Sequence, residues 1–356
     1  MKQTVKVLVV DDSALMRKLI PQIIERDSSI QVVGTAIDGE FAMKKMKELR
    51  PDVITLDLEM PRMDGLETLR QMMRHEQVPV IVVSAHTTEG ATTTLKALGL
   101  GAFDFVTKPK DALSAHMSEV ADELIKKIKA ASMQGRSKAR ILEPLKTARA
   151  PQKSNESVLA TRVIGIGSST GGPNTLQFLL SRLPADFPAA IVIVQHMPEG
   201  FTALFAKRLD ECSAIHVKEA QSGDLLLAGR ALVCPGNRHI KVRRMPAANI
   251  AVLTDEPKVN GHRPSVDVMF RSLAAELGPS SLGVLMTGMG DDGAEGLGEM
   301  KRNGAMTIAQ DEESSVIYGM PRAAVERGYA TRIVSLDALP NALMAHFRAE
   351  DRALTE

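Results

Sequence analysis

The chain has 356 residues, 44% of them hydrophobic, enough to bury the cores of two or three ordinary domains. Its formal net charge of +1 gives no general argument for nucleic-acid or membrane binding, and 3% aromatic content with no Trp argues against a stacking platform for bases. Cys212 and Cys234 lack metal-ligand or redox spacing and read as reduced thiols; no signal peptide or spanning segment is expected, so the protein reads as cytoplasmic.

Residues 2–10 read as a buried strand that ends in Asp11-Asp12. A helix follows, with Leu15, Met16, Leu19, Ile20, Ile23 and Ile24 at helical spacing. A strand at 31–36 and a helix at 40–49 come next. The strand at 52–56 ends in Asp57, and a helix runs over 65–74. The strand at 78–83 ends in Ser84. Residues 101–107 supply a fifth strand, which ends in Lys108-Pro109, and a last helix carries Met117, Val120, Leu124, Ile125 and Ile128. Five strand–helix units in succession predict a parallel sheet with helices on both faces.

The polar residues of this region fall in one place. Asp11, Asp12, Asp57, Ser84 and Lys108 each follow a predicted strand, and all such ends open on one edge of the sheet. A lone acid there is usually a helix cap, but five suitable residues at strand ends do not fit that reading. Three crowded carboxylates repel one another unless a cation sits among them, and hard oxygen ligands of this kind suit Mg²⁺. Lys108 and the Ser84 hydroxyl would then serve phosphoryl oxygens.

Residues 1 to about 130 resemble response-regulator receiver domains, which have a flavodoxin-like (βα)5 fold. The resemblance rests on Val10-Asp11-Asp12-Ser13, Asp57-Leu58-Glu59-Met60-Pro61-x-Met63-Asp64-Gly65 and Lys108-Pro109. It implies that Asp57 accepts a phosphoryl group from a histidine kinase. It also implies that Mg²⁺ is held by Asp12, Asp57 and the main-chain carbonyl of Glu59, with Asp11 close by. Ser84 and Phe105 match the switch pair of such domains, and a cis Lys108–Pro109 peptide is implied.

Periodicity fades over 131–160, which is rich in Lys, Arg, Ala, Ser and Pro and reads as a flexible linker. A second domain is expected over 161–350, before a polar tail at 351–356. It opens on a buried strand, 163–166, that breaks into Gly167-Ser168-Ser169-Thr170-Gly171-Gly172 ahead of a helix. As a dinucleotide loop the stretch fails: the third glycine position is Thr170, and the next strand ends in Gln195-His196 where a ribose-binding acid is required. As a nucleophile elbow, Gly167-x-Ser169-x-Gly171 fits throughout. His196 could then face Ser169 as its base.

Further strands are expected at 191–194, 231–234, 250–253, 283–286, 306–309 and 332–334, with helices around 200–209, 266–277, 292–303 and 320–326. That predicts a doubly wound, mainly parallel α/β sheet, with an antiparallel hairpin near 216–255. A third catalytic member must fix the histidine tautomer. Asp291 or Asp292, in the glycine-rich loop 287–293, is placed for this, although either could be an N-cap. Backbone N–H groups in such turns could bind an oxyanion.

Gly167-Ser168-Ser169-Thr170-Gly171-Gly172, Gln195-His196-Met197, Arg263-Pro264-Ser265-Val266-Asp267, Thr287-Gly288-Met289-Gly290-Asp291-Asp292-Gly293 and Ser315-x-x-Tyr318-Gly319-Met320-Pro321 together resemble the chemotaxis protein-glutamate methylesterases, the CheB family. Carried over, Ser169 is the nucleophile, His196 the base and Asp292 the orienting acid, with the N–H groups of Thr170 and Met289 as oxyanion hole. The position before the acid is often Asn in the family; here it is Asp291, a competitor for the role.

The resemblance implies hydrolysis of glutamate methyl esters on methyl-accepting chemoreceptors, with methanol released, and deamidation of receptor glutamines. A chemotaxis histidine kinase is the implied phosphodonor. Mg²⁺ serves receiver phosphorylation, and ester hydrolysis needs no cofactor. A monomer without nucleic-acid partner or membrane insertion is expected, in which the unphosphorylated receiver restrains the Ser169 site. A receiver-controlled DNA-binding regulator would need a helix-turn-helix and a basic face, and 161–350 presents neither clearly. His239, His262, Arg263, Asp267 and Tyr318 receive no role.

Overall fold

The computed structural model describes residues 4–60, 64–75, 78–85, 87–108, 116–134 and 158–353. The chain divides into two compact units, Met1–Pro144 and Leu145–Glu356. In the first, β1 (Val5–Val10), β2 (Ile30–Ala36), β3 (Val53–Asp57), β4 (Val80–Ser84) and β5 (Asp104–Thr107) pair in parallel, in the order β2-β1-β3-β4-β5. Their near-continuous Val/Ile/Leu runs suit strands buried on both faces. The intervening helices are α1 (Ala14–Ile24), α2 (Gly39–Leu49), α3 (Gly65–His75) and α4 (Thr88–Gly99), with α5 (His116–Gln134) last. The strand order reverses at β1, so the carboxyl ends of β1 and β3 lie side by side and bring Asp11 and Asp57 together.

The sequence reading placed no helix at α4. Its threonines are stiff at χ1 and weaken the helical pattern, but Thr92 and Thr93 return their hydroxyls to Thr88 O and Glu89 O at 3.0 Å, and Thr87 caps the first turn. At the other end of the unit, α5 continues past residue 130. The chain is described again from Val158, where Ala228 N donates to Val158 O and Ala160 N to Leu226 O. Most of the expected linker lies outside the described residues, as do Pro61, Met63, and Pro109 with its expected cis bond.

The second unit contains β6 (Val163–Ser168), β7 (Ala190–Gln195), β8 (His216–Glu219), β9 (Arg230–Val233), β10 (His239–Arg244), β11 (Asn249–Thr254), β12 (Ser281–Leu285), β13 (Met306–Gln310) and β14 (Arg332–Val334). Seven of them form one parallel sheet, β14-β13-β12-β6-β7-β9-β8. The antiparallel hairpin is narrower than expected: it is β10–β11 alone, and β8 joins the main sheet parallel to β9.

The helices are α6 (Gly172–Leu180), α7 (Thr202–Cys212), α8 (Val266–Leu277), α9 (Ala294–Arg302), α10 (Met320–Glu326) and α11 (Leu339–Ala353). Met269, Phe270 and Leu273 of α8 and Leu297 of α9 share one core with Val163, Val192, Val194 and Leu285. The alternate residues Ile164, Ile166, Ile191 and Ile193 are equally buried on the opposite face. There α11, which the sequence reading did not place, sets Phe347 edge-on to Phe187 at 5.7 Å. This helix runs to Ala353, into the expected tail. Among the described residues no helix is long and apolar enough to cross a membrane.

The sheet reverses its order between β6 and β12, and that switch point sets the location of the chemistry.

Candidate active site

Ser169 follows β6 at this crevice. Its N–H donates to Thr287 O at 3.0 Å, the next rung beyond the β6–β12 pairing, and its own carbonyl accepts from Gly172 N at 2.8 Å. The chain must reverse within two residues to start α6. Gly171 does this at φ 78°, with Val316 packed where a side chain would be. On the far wall, a Cβ on Gly288 would lie 2.9 Å from Ser169 Cβ, so only glycine permits the β12 loop to approach the serine this closely. Gly165 and Gly167, the two matches to a dinucleotide loop, face α8 instead. A Cβ there would collide with Leu273 and Val266, so these glycines serve helix–sheet packing.

Two buried glutamines brace the crevice. Gln195 accepts from Ser168 Oγ at 2.7 Å and donates to Ser169 O and His196 O. Gln310 accepts from Thr287 N at 2.9 Å and donates to Ser314 O at 2.8 Å. Thr287 in turn donates its hydroxyl to Thr170 O at 3.0 Å. Among the described residues neither Thr170 N nor Met289 N has a protein acceptor, which leaves both donors available in the loops flanking Ser169.

β6 and β7 pair Ser168 with Gln195, so Ser169 and His196 each directly follow the last matched pair of neighbouring strands. His196 Nε2 meets Asp292 Oδ2 at 2.9 Å, while Nδ1 is buried with no hydrogen-bond partner among the described residues. The carboxylate therefore holds Nε2, and Nδ1 is the nitrogen free to take a proton.

The adjacent acids have different surroundings. Asp291 is exposed and pairs with Arg327 Nη2 at 2.7 Å. Asp292 is 1% exposed and accepts from His196, Ser265 Oγ (2.7 Å), Val266 N (2.7 Å) and Asn260 Nδ2 (3.0 Å). Burial alone would raise its pKa, but the His196 contact and the donors from Ser265 and Val266 outweigh it and hold the carboxyl well below the ordinary range. Asp292 is also a helix cap, though of α8 and not of the helix it precedes: Ser265 makes no side-chain cap, and the carboxylate takes the α8 N-terminus.

Each of the five residues given no role from sequence makes a defined contact. His262 stacks on His196 with ring centres 3.8 Å apart and planes 7° apart. His239, fully buried, accepts from Ser265 N at Nδ1 and meets Pro257 O through Nε2. Asp267 takes Gly296 N and Asn260 Nδ2, which ties α8 to α9; burial, with Asp292 nearby, pushes its carboxyl up. Arg263 holds Asn237 Oδ1 and the carbonyls of Asp255 and Glu256. Tyr318 sits in a parallel bridge with Gly288, and burial followed by Glu312 and Asp311 raises its hydroxyl. Asn260 and Ser265, which touch Asp292 directly, had no assigned function in the sequence reading. Polar turn residues carry no periodic signal that separates them from any other turn.

In the first unit, Asp11, Asp12 and Asp57 each offer a carboxylate oxygen within 4.8 Å of the others. Asp11 and Asp57 are buried, and Asp12 is exposed. Lys108 Nζ lies 2.6 Å from Asp57 Oδ2 and 3.3 Å from Asp11 Oδ2, an oxygen with no hydrogen bond of good geometry. Burial, with Asp57 adding to it, raises the Asp11 carboxyl against the pull of Lys108. One ammonium against three carboxylates leaves negative charge uncompensated, so this oxygen-rich donor set fits a hard divalent cation. The Ser84 hydroxyl lies 2.6 Å from Thr94 Oγ1 and 3.2 Å from Gly90 O. Phe105 is buried beneath Lys127, whose Nζ lies 5.4 Å above its ring. Glu59 donates its N–H to Asp57 Oδ1 at 3.1 Å.

A seven-stranded parallel sheet with a serine, a histidine and a buried aspartate at its switch point defines a serine-hydrolase type of site, joined in sequence to an acidic phosphoacceptor type of site. Comparison with known proteins agrees. Residues 164–343 match the CheB methylesterase family and residues 7–118 the response regulator receiver domain family. A protein-glutamate methylesterase/protein-glutamine glutaminase 2 of Koribacter versatilis is 58% identical over 97% of both chains. Its counterpart in Pyrococcus horikoshii is 46% identical over 97% of this chain and 94% of its own. The crystal structure of the Thermotoga maritima CheB methylesterase catalytic domain covers 52% of this chain and 97% of that one, at 38% identity and a TM-score of 0.51. The chain belongs to the CheB methylesterase family and carries a receiver domain.

Proposed function

We propose that the protein is a phosphorylation-activated serine esterase that hydrolyses glutamate methyl esters on methyl-accepting chemoreceptors and deamidates receptor glutamines at the same site. The observation that carries this reading is His196, fixed by Asp292 at Nε2 and left open at its buried Nδ1, at the end of the strand beside the one that Ser169 follows. Ser169 Oγ attacks the ester carbonyl as its proton passes to His196 Nδ1. The oxyanion is received by the N–H groups of Thr170 and Met289. Asp292 stabilises the imidazolium, which then protonates the departing methoxide so that methanol leaves. Water, deprotonated by His196, cleaves the acyl-enzyme and leaves a glutamate carboxylate. With a glutamine side chain, ammonia leaves instead.

Methanol release from methylated receptor membranes tests the reading; release at the background rate of membranes alone would reject it.

In the receiver, Asp57 is the phosphoacceptor for a chemotaxis histidine kinase. Asp12, Asp57 and the Glu59 carbonyl, with Asp11 beside them, would hold Mg²⁺, which neutralises phosphoryl charge when bound. Lys108 binds a phosphoryl oxygen, and Ser84 and Phe105 reorient toward it. Phosphodonor labelling should need Mg²⁺ and fall to background in Asp57→Asn, with a large loss in Asp12→Ala. Equal labelling in excess chelator would remove the metal from the reading.

The receiver restrains the esterase until Asp57 is phosphorylated, a bias that needs only a few kcal/mol between the two states. A fragment from about residue 155 onward should exceed the unphosphorylated full chain in methanol release. Phosphodonor should raise the full chain and leave the fragment unchanged. A fragment no faster than the unphosphorylated chain would assign the receiver a different task.

A further inference from the structure

The contacts that fix the His196–Asp292 pair come from an unexpected source. Residues 259–262 form a tight two-residue turn, in which Val259 N donates to His262 O at 3.0 Å and His262 N to Val259 O at 2.9 Å. Its central residues, Asn260 at φ 53° and Gly261 at φ 78°, are both left-handed, the pairing that Asn-Gly adopts readily. The turn delivers one side chain to each member of the catalytic pair.

Asn260 places one amide nitrogen between two buried carboxylates, 3.0 Å from Asp292 Oδ1 and 2.8 Å from Asp267 Oδ2. An amide NH₂ has two hydrogens, and each carboxylate takes one. Asp267 and Asp292 repel each other through space, and Asn260 is the donor shared by both. Arg271 also faces Asp267, 3.8 Å away, with its side chain 43% exposed. His262 acts on the other partner. The terminal torsion of a histidine is soft, so the hydrogen bond to Asp292 fixes where Nε2 points more firmly than it fixes the ring plane. A parallel ring at 3.8 Å supplies the missing restraint.

We infer that the 259–262 turn is a positioning element of the reaction, with Asn260 holding the Asp292 carboxylate and His262 holding the plane of the His196 ring so that Nδ1 stays available to Ser169. This rests on the serine-esterase reading. Both are positioning residues: each acts through a catalytic group and leaves substrate affinity to other parts of the site.

The test is methanol release by the full chain, with kcat and KM measured separately for a set of variants alongside Ser169→Ala. Asn260→Gly keeps the left-handed backbone and removes only the amide. It should lower kcat by about 10- to 100-fold, the scale of a small misplacement at a reacting centre, with KM within about threefold. The same change in an Asp292→Asn background should cost less than about threefold, because the carboxylate it serves is gone. His262→Ala should lower kcat by about tenfold or more. His262→Phe, which restores a flat ring, should recover most of that loss. Thermal melting of each variant separates misfolding from misplacement.

If Ser169→Ala retains turnover, the esterase reading fails and this proposal falls with it. If Ser169→Ala is dead while Asn260→Gly and His262→Ala stay within about twofold of wild type, the proposal alone is overturned. Equal losses in His262→Phe and His262→Ala, or an Asn260→Gly loss undiminished beside Asp292→Asn, would also overturn it.

Discussion

Ser169→Ala should abolish methanol release, with kcat falling by about 10⁶-fold, or about 8 kcal/mol of transition-state stabilisation. The fold should tolerate it: the substitution removes one oxygen at a position whose backbone contacts, to Thr287 O and from Gly172 N, do not involve the hydroxyl. Residual catalysis would come from the Thr170 and Met289 donors alone. His196→Gln should be nearly as inactive, since serine and base act as one unit and their losses do not add. Turnover near wild type in Ser169→Ala, with an unchanged melting temperature, would end the serine mechanism.

The second large effect separates the neighbouring acids. Asp292→Asn should cost about 10⁴-fold in kcat, the scale seen when an orienting carboxylate becomes an amide. The reason lies in the donors that converge on it. Oδ2 accepts from both His196 Nε2 and Val266 N, and Oδ1 from Ser265 Oγ and Asn260 Nδ2. An amide offers only one accepting atom to this set, and its NH₂ must face a donor. A lower melting temperature should accompany the loss of activity, because the α8 N-terminus loses its anion. Asp291→Asn should stay within about twofold of wild-type activity. It breaks only an exposed ion pair with Arg327, and such pairs are worth about 0–1 kcal/mol. The reverse ranking, by the same methanol assay, would mean that Asp291 carries the role.

How far the sequence could be read follows from what each signal depends on. Apolar runs closed by a polar residue need only local order to be recognised, so β1, β3, β4, β6 and β7 and the residues at their ends were legible. The elbow was legible because a reversal within two residues needs small residues at fixed offsets. Asp291 against Asp292 was not, since a one-residue choice in a loop is settled by the path of the loop in space, and only the resemblance favoured the second. Asn260 was invisible for a related reason: its turn reads as a turn, and nothing local says that the amide ends between two carboxylates from α8 and the β12 loop. The hairpin was drawn too wide because β8 and β10 look alike as short alternating runs. One pairs in parallel at the sheet edge and the other folds back on β11. α11 lay beyond the last motif and carried no chemistry to draw attention to it.

The dual task of Asp292 has a consequence for acid tolerance. Its native pKa is depressed relative to the unfolded carboxyl, which titrates near ~3.9, so its stabilising contribution is complete above that pH and drains away as pH falls below it toward the native value. Protonation would uncharge the partner of His196 and uncap α8 at once. The carboxylate therefore stays charged throughout the neutral and mildly acidic range. Where it finally takes up a proton, the charge facing His196 and the anion at the start of the helix that carries Phe270 and Leu273 into the core are lost together.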